Sequence, residues 1–130
     1  MNVRRTAAAL TVTAAALSGV ALVAPSADAM GGVAPKVTSG TCATGTWKLK
    51  AKPDNGRLEI EYQLDTNRNG QAWAVKITDN THQVFAGTRT TKAPSGSFSV
   101  NIRPVNRAST DHLVATAKRG AVTCTGRLAL

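Results

Sequence analysis

Residues 47–64 have the sequence WKLKAKPDNGRLEIEYQL, in which apolar and polar residues alternate on both sides of a turn sequence. Trp, Leu and Ala alternate with lysine before the turn, and Leu, Ile and Tyr alternate with Glu and Gln after it. Because successive side chains of a β-strand point to opposite faces, a period of two indicates a half-buried strand. This stretch therefore predicts a β-hairpin with one apolar face.

The turn sequence Pro-Asp-Asn-Gly at residues 53–56 is compatible with two hairpin registers. A two-residue turn at Asn55-Gly56 places Pro53 inside the strand, where its missing N–H is unfavourable. The ladder pairs are then Lys52–Glu59 and Lys50–Glu61. A four-residue loop over residues 53–56 uses Pro early in the turn and Gly where φ is positive, and we expect this register. Its ladder pairs are Lys50–Glu59 and Lys48–Glu61. Both registers oppose Lys and Glu, so these charges have a structural explanation.

Outside this hairpin the chain continues as short alternating segments separated by Gly-, Pro-, Asn- and Asp-containing turns. We expect strands at residues 39–43, 71–78, 83–90, 98–102, 111–119 and 122–128. No segment has a convincing helical periodicity. Short strands at regular spacing predict an all-β fold, a single antiparallel β-sandwich of about seven strands.

Cys42 and Cys124 are the only cysteines in the chain of 130 residues. Two cysteines allow one intramolecular bridge, which would link the terminal strands of the domain. Such a bridge closes a loop of roughly eighty residues and stabilises the fold by about 4 kcal/mol in the chain-entropy model. Free thiols and an intermolecular bridge are the alternatives.

Residues 1–29 have the three parts of a secretory signal peptide. Arg4 and Arg5 precede an apolar stretch over residues 7–24, and small residues at Ala27 and Ala29 suit a signal peptidase. A membrane anchor is the alternative. However, Thr, Ser and Gly interrupt the stretch, and the remaining apolar pieces are shorter than a transmembrane helix, which needs about 20 residues. We therefore expect cleavage after Ala29, a secreted, extracellular product, a flexible N-terminal arm over residues 30–38 and the sandwich domain over residues 39–130. Disulfides form and persist in the oxidising environment outside the cell.

Two resemblances extend this interpretation. The segment Asp111–Ala117 resembles the entry to strand F of immunoglobulin-like domains, and Trp73 stands where the core Trp of such domains lies. This resemblance implies an immunoglobulin-like sandwich, although Cys42 and Cys124 fall on terminal strands rather than strands B and F, and Ala115 stands near the place of the expected Tyr. The whole chain also resembles a group of small secreted proteins from high-GC Gram-positive bacteria that have no assigned activity.

The charge balance points to an anionic partner. Residues 30–130 contain fourteen cations and six carboxylates, and no carboxylate occurs between Asp79 and Asp111. Our candidate anion-binding residues are Arg89, Lys92, Arg103 and Arg107, which suit phosphate or carboxylate polymers of the cell envelope. A solvated surface kept soluble by like charge is the other interpretation. Scarce aromatic residues and the export signal argue against nucleic acid.

Two further motifs were weighed as sites. Asp65, Asn67 and Asn69, followed by Gly70, match the first half of a calcium loop, but Lys76 occupies the twelfth position, where Glu is required. We expect a hairpin loop there and no metal. His82 and His112 are the only histidines, and neither has an adjacent catalytic partner in the sequence.

The sequence thus predicts a secreted, non-catalytic binding or accessory module without a cofactor. Its ligand would be an anionic envelope polymer or another secreted protein. The alternative is a secreted protease inhibitor that presents an exposed loop, residues 91–96 or 103–110. An enzyme using His82 or His112 is a third hypothesis, which we do not favour.

Overall fold

The computed structural model describes residues 32–130, which form two antiparallel four-stranded sheets packed as a sandwich. The expected signal peptide, residues 1–29, lies outside the described residues. The strands are β1 (Lys36–Cys42), β2 (Gly45–Asp54), β3 (Arg57–Asp65), β4 (Ala72–Asp79), β5 (His82–Thr90), β6 (Ser97–Ile102), β7 (His112–Arg119) and β8 (Val122–Ala129). The predicted all-β antiparallel sandwich is confirmed, with eight strands instead of about seven. Within residues 32–130 we find no helix that would span a membrane.

The strand order is β1-β2-β3-β6 in the first sheet and β5-β4-β7-β8 in the second. The edge strands β1 and β8 come together at one side of the sandwich, where the disulfide Cys42–Cys124 joins the two sheets with a Cα–Cα distance of 5.3 Å. The predicted bridge is thereby confirmed. The Lys36 ammonium adds a second link, because its Nζ donates to the carbonyl oxygen of Ala129 at 3.1 Å. β1 begins at Lys36, three residues before its expected start, since residues 36–38 continue the ladder with β2.

The core consists of the inward side chains of both sheets, as the period of two predicted. Trp73, Leu113, Ala115 and Ala117 are all buried. The Tyr62 hydroxyl crosses from β3 and donates a buried hydrogen bond of 2.9 Å to the carbonyl oxygen of Cys124 in β8. Val84 and Phe85 are only partly buried because β5 is an edge strand.

Our preferred register for the β2–β3 hairpin was wrong, and the two-residue turn is the observed one. Asn55 and Gly56 both have positive φ, 48° and 74°, as a tight two-residue hairpin turn requires. Pro53 lies opposite Leu58, but Leu58 donates its N–H to Pro104 instead, at 2.9 Å. Pro53 and Leu58 therefore form a pair without hydrogen bonds between them. The absence of an N–H group on Pro53 removes no hydrogen bond from the β2–β3 ladder. β1 reaches only as far as Ala51, so no strand lies on the other side of Pro53. The resulting ion pairs are Lys50–Glu61 (2.6 Å) and Lys52–Glu59 (3.4 Å).

Two glycines shape the side of the sandwich that the disulfide closes. The indole ring of Trp47 packs between Gly40 of β1 and Gly126 of β8. A Cβ atom at Gly40 would lie 2.6 Å from Cζ2 of the ring, and one at Gly126 would lie 2.8 Å from Cζ3. Side chains at either position would displace the ring, so the close approach of β1 and β8 depends on both glycines.

Candidate functional site

The few carboxylates of residues 32–130 leave most of the cations without an acidic partner. Three form ion pairs, as Lys50–Glu61, Lys52–Glu59 and Arg103–Asp54. Asp65 accepts the Asn67 N–H at 3.0 Å, and Asp79 and Asp111 are 2% and 4% exposed. Of the fourteen cations in residues 32–130, only the three just named take part in these ion pairs. The surface therefore presents mainly positive charge to solvent.

The four predicted anion-binding residues lie in different settings. Arg89 faces the inner side of the β5 edge, where its guanidinium carbon is 4.8 Å from the centre of the Phe85 ring. Lys92 is exposed in the loop after β5, and its backbone pairs with Ser97. Arg103 follows β6 and is ion-paired with Asp54. Arg107 is exposed in the connection to β7.

These four residues do not form one patch. Lys92 and Arg89 lie near Ser97, where β6 begins, and Arg103 follows the other end of β6. A strand of this length separates its ends by about 20 Å, at roughly 3.3 Å per residue. The structure therefore brings Arg89 near Lys92 and leaves the two other arginines at the far end of β6.

A second positive surface lies on the outer side of the sheet β5-β4-β7-β8, and we call it the basic face. It consists of the outward side chains of these four strands, among them Lys76, Lys118, Arg127, Thr88, Thr116 and Thr125. No outward position of these four strands carries a carboxylate. The only acidic residue in the strands is Asp79, and its side chain is buried. The cations of this face are therefore not neutralised within it.

The ladder register specifies how close the cations of the basic face lie. Lys76 is opposite Thr116, and Lys118 is opposite Ala74. Lys76 and Lys118 are therefore diagonal neighbours on adjacent strands, a relation that places side-chain origins about 7–8 Å apart. Arg127 lies farther out, opposite Val114 on β8.

A shallow depression of about 590 Å³ lies on the basic face. Short side chains form its floor, among them Ala74, Ala86 and Thr88, while Lys76 and Lys118 line it with longer ones. Alanine and threonine therefore leave room above the sheet beside the two longer lysine side chains.

The outer side of the other sheet differs in charge. Its central lysines, Lys50 and Lys52, are each paired with a glutamate of β3. The ion pair with Glu61 raises the pKa of Lys50 above its ordinary value, as expected when an anion stabilises the charged form. The two outer surfaces of the sandwich therefore differ, one being largely neutralised and the other positive.

The calcium-like segment 65–70 forms a loop held by its own hydrogen bonds. The Asp65 carboxylate accepts the Asn67 N–H, and Asn67 and Gly70 have positive φ of 55° and 78°. The Thr91 hydroxyl donates to the Arg68 carbonyl oxygen at 2.6 Å. These bonds give Asp65 a structural role in turning the chain.

Both histidines lie at the same end of the second sheet. His82 is the first residue of β5, His112 is the first of β7, and both are exposed. The Asn80 side chain holds this end together, because its Oδ1 accepts the His112 N–H at 3.0 Å and its Nδ2 donates to the Thr110 carbonyl oxygen at 2.8 Å. In the described part of the chain, no three His, Cys, Asp or Glu side chains are placed to hold a metal ion. The expectation of a non-catalytic protein stays a prediction.

Two buried carboxyl groups lie at this end as well. Asp79 ends β4 and Asp111 precedes β7, and the Oδ1 atom of each is buried without a hydrogen-bond partner. Burial, together with the nearby Asp79 charge, raises the pKa of Asp111 above its ordinary value. The raised pKa of Asp111 therefore makes the stability of the fold depend on pH.

Comparisons with protein-family models, curated proteins and solved structures find no match.

Sequence reasoning missed the basic face because its cations come from three separate strands. Lys76, Lys118 and Arg127 meet only through the order β4-β7-β8 and its register. One signal was available, since Lys76 and Lys118 occupy outward positions of the predicted strands. Nothing in the sequence showed that those two strands are neighbours.

Proposed function

We propose that the protein is a secreted, non-catalytic binding or accessory module whose ligand is an anionic polymer of the cell envelope. The observation that carries this proposal is that only three carboxylates of residues 32–130 pair with cations, which leaves eleven of the fourteen cations without an acidic partner. Such an excess of positive charge attracts polyanions over long range. The disulfide supports an oxidising destination, in keeping with the predicted signal peptide.

The rigidity of the domain supports a binding role. A disulfide and the buried Tyr62 hydrogen bond join the two sheets at one side. The surface cations therefore extend from a rigid backbone. Binding to such a scaffold requires little ordering of the protein backbone. Several weak ionic contacts along one polymer would add up to useful affinity, and salt would weaken them.

The strand order supports an immunoglobulin-like classification. With β1 set aside, the sheets are β2-β3-β6 and β5-β4-β7-β8, which correspond to A-B-E and C′-C-F-G of immunoglobulin-like sandwiches. Trp73 then lies on strand C, and the segment Asp111–Ala117 leads into strand F. The bridge differs, because it joins β1 to β8. This classification bears on function only by analogy, since the same architecture serves many roles.

Co-sedimentation of the oxidised domain, residues 30–130, with isolated Gram-positive cell walls tests the proposal. We expect binding at low salt that is lost at high salt. Absence of binding at low salt would refute an electrostatic envelope role and would leave the charge as a feature of solubility.

One observation favours the protease-inhibitor alternative for a single loop. Residues 107–110 are exposed and held at both ends, by the Asn106 N–H to the Gly56 carbonyl oxygen and by Asn80 to the Thr110 carbonyl oxygen. By contrast, the loop over residues 91–96 folds back on Lys92, whose carbonyl oxygen accepts two N–H groups. If the protein is an inhibitor, we propose that it presents Arg107. Stoichiometric inhibition of trypsin should then be lost in Arg107→Ala and kept in Lys92→Ala.

A further inference from the structure

We propose that the basic face binds a phosphodiester-linked polyol polymer, with Lys76 and Lys118 on its phosphates and threonine hydroxyls on its polyol groups. This inference rests on the proposed function and assigns a site and a ligand class to it. The site differs from the four residues that the sequence singled out, Arg89, Lys92, Arg103 and Arg107.

The first support is the unbalanced charge of the face. Lys76 and Lys118 are diagonal neighbours on the two central strands of the sheet, and no carboxylate lies on the outward positions around them. Like charges at such positions repel each other. An anion held between them would relieve this repulsion and gain two charge-assisted hydrogen bonds.

The second support is the type of cation. Both central cations are lysines, whose ammonium groups are compact point charges with three rotatable donors. The fork of arginine matches carboxylates and phosphates alike in bidentate geometry, whereas lysine binds phosphate oxygens as a point charge. Arg127 also belongs to the basic face but lies farther out, on the edge strand β8. Two lysines thus suit phosphates spaced along a chain, and the comparison with a carboxylate polymer described below tests this choice.

The third support is the row of hydroxyls beside the lysines. Thr116 lies opposite Lys76 on one side and opposite Thr125 on the other, so two threonines continue the same row across β7 and β8. Thr88 lines the depression of about 590 Å³ together with Thr116. Each hydroxyl donates one hydrogen bond and accepts others, which suits the free hydroxyls of a polyol or sugar.

The test compares two variants that lose the same charge. Lys76→Ala/Lys118→Ala alters the face, whereas Lys48→Ala/Arg68→Ala alters an outward position of β2 and the loop before β4. All four side chains are exposed, and thermal unfolding should confirm that both variants fold. Binding to poly(glycerol phosphate) is measured by isothermal titration calorimetry at low and high salt. We expect the first variant to lose about tenfold or more in affinity, and the second to lose much less.

Three further results would separate this inference from the proposed function. Equal weakening by both variants would overturn the assignment to the basic face while leaving the electrostatic role intact. Binding of polygalacturonate as tight as that of poly(glycerol phosphate) would overturn the choice of a phosphodiester. No binding of either polymer by the unaltered protein would overturn the inference, and the cell-wall experiment would then decide the proposed function separately.

The hydroxyl contribution has its own test. Thr116→Val keeps the shape of the side chain and removes the hydroxyl group. We expect it to weaken binding of poly(glycerol phosphate) and to leave binding of inorganic polyphosphate, which has no polyol groups, unchanged. Equal effects on both probes would overturn the role of the hydroxyl.

Discussion

Removal of the Cys42–Cys124 disulfide should destabilise the domain by a large fraction of its total stability. The bridge joins residues separated by 82 positions, and it links the first strand to the last. In the chain-entropy model, closing a loop of this length lowers the entropy of the unfolded chain enough to stabilise the fold by about 4.5 kcal/mol. Small domains have a free energy of unfolding of about 5–15 kcal/mol, so this loss would be large.

The structure also predicts where the loss appears first. β1 is an edge strand whose side chains are mostly exposed or half-buried, and it forms its ladder with β2 alone. Without the bridge, the Lys36 bond to Ala129 is the remaining polar side-chain link from β1 to the second sheet. We therefore expect amides of β1 to exchange their hydrogens faster than those of β3 and β4, which lie inside their sheets.

Urea unfolding of three samples measures the effect: the oxidised protein, the reduced protein and the Cys42→Ala/Cys124→Ala variant. The reduced protein keeps both sulfur atoms, so it separates the loss of the bridge from the loss of packing around the buried Cys124. The reduced protein should lose about 4.5 kcal/mol, and the Ala variant should lose more, because it also loses the packing of the buried sulfur. A loss below about 1 kcal/mol in the reduced protein would refute the reasoning from loop closure.

Three other changes test separate parts of the fold. Gly126→Ala should destabilise it by about 1–3 kcal/mol and shift the fluorescence of Trp47, because the new Cβ would displace the indole ring; unchanged emission and stability would contradict this packing. Thr81 is β-branched and has φ of 73°, so Thr81→Gly should raise the free energy of unfolding by about 1 kcal/mol, and a loss of stability would show that its conformation is not strained. The raised pKa of Asp111 means that the folded state binds its proton more tightly than the unfolded state does. The contribution of Asp111 to the free energy of unfolding therefore falls as pH rises from about 4 through the raised pKa. Asp111→Asn should remove that part of the pH dependence and stabilise the domain at neutral pH, whereas an unchanged slope in urea unfolding would contradict the burial effect.

Sequence reasoning succeeded where a local pattern determines the structure. The alternation in residues 47–64 predicted which side chains are buried, because the period of a strand does not depend on its neighbours. The disulfide followed from having only two cysteines. These predictions required no knowledge of strand order.

It failed where the answer depends on distant residues. Pro53 is tolerated inside β2 for two reasons: the ladder with β1 extends only to Ala51, and Leu58 donates its N–H to Pro104. Local rules for turns include neither of these distant contacts. Residues 36–38 look like an unpaired arm until their ladder with β2 is known. Arg89 and Arg103 look like members of one basic patch until β6 is seen to separate them.

The difference between the two outer surfaces is hard to explain by folding alone. On the first sheet, each cross-strand Lys–Glu pair contributes roughly 0.2–1 kcal/mol, so those charges serve the hairpin that contains them. On the second sheet, Lys76 and Lys118 face no carboxylate, and their proximity makes a small unfavourable contribution of the same kind. A glutamate in place of Thr116, directly opposite Lys76, would remove that cost without touching the core. The fold gains nothing from the uncompensated lysines, which is the arrangement expected if a ligand supplies the missing negative charge, as we propose.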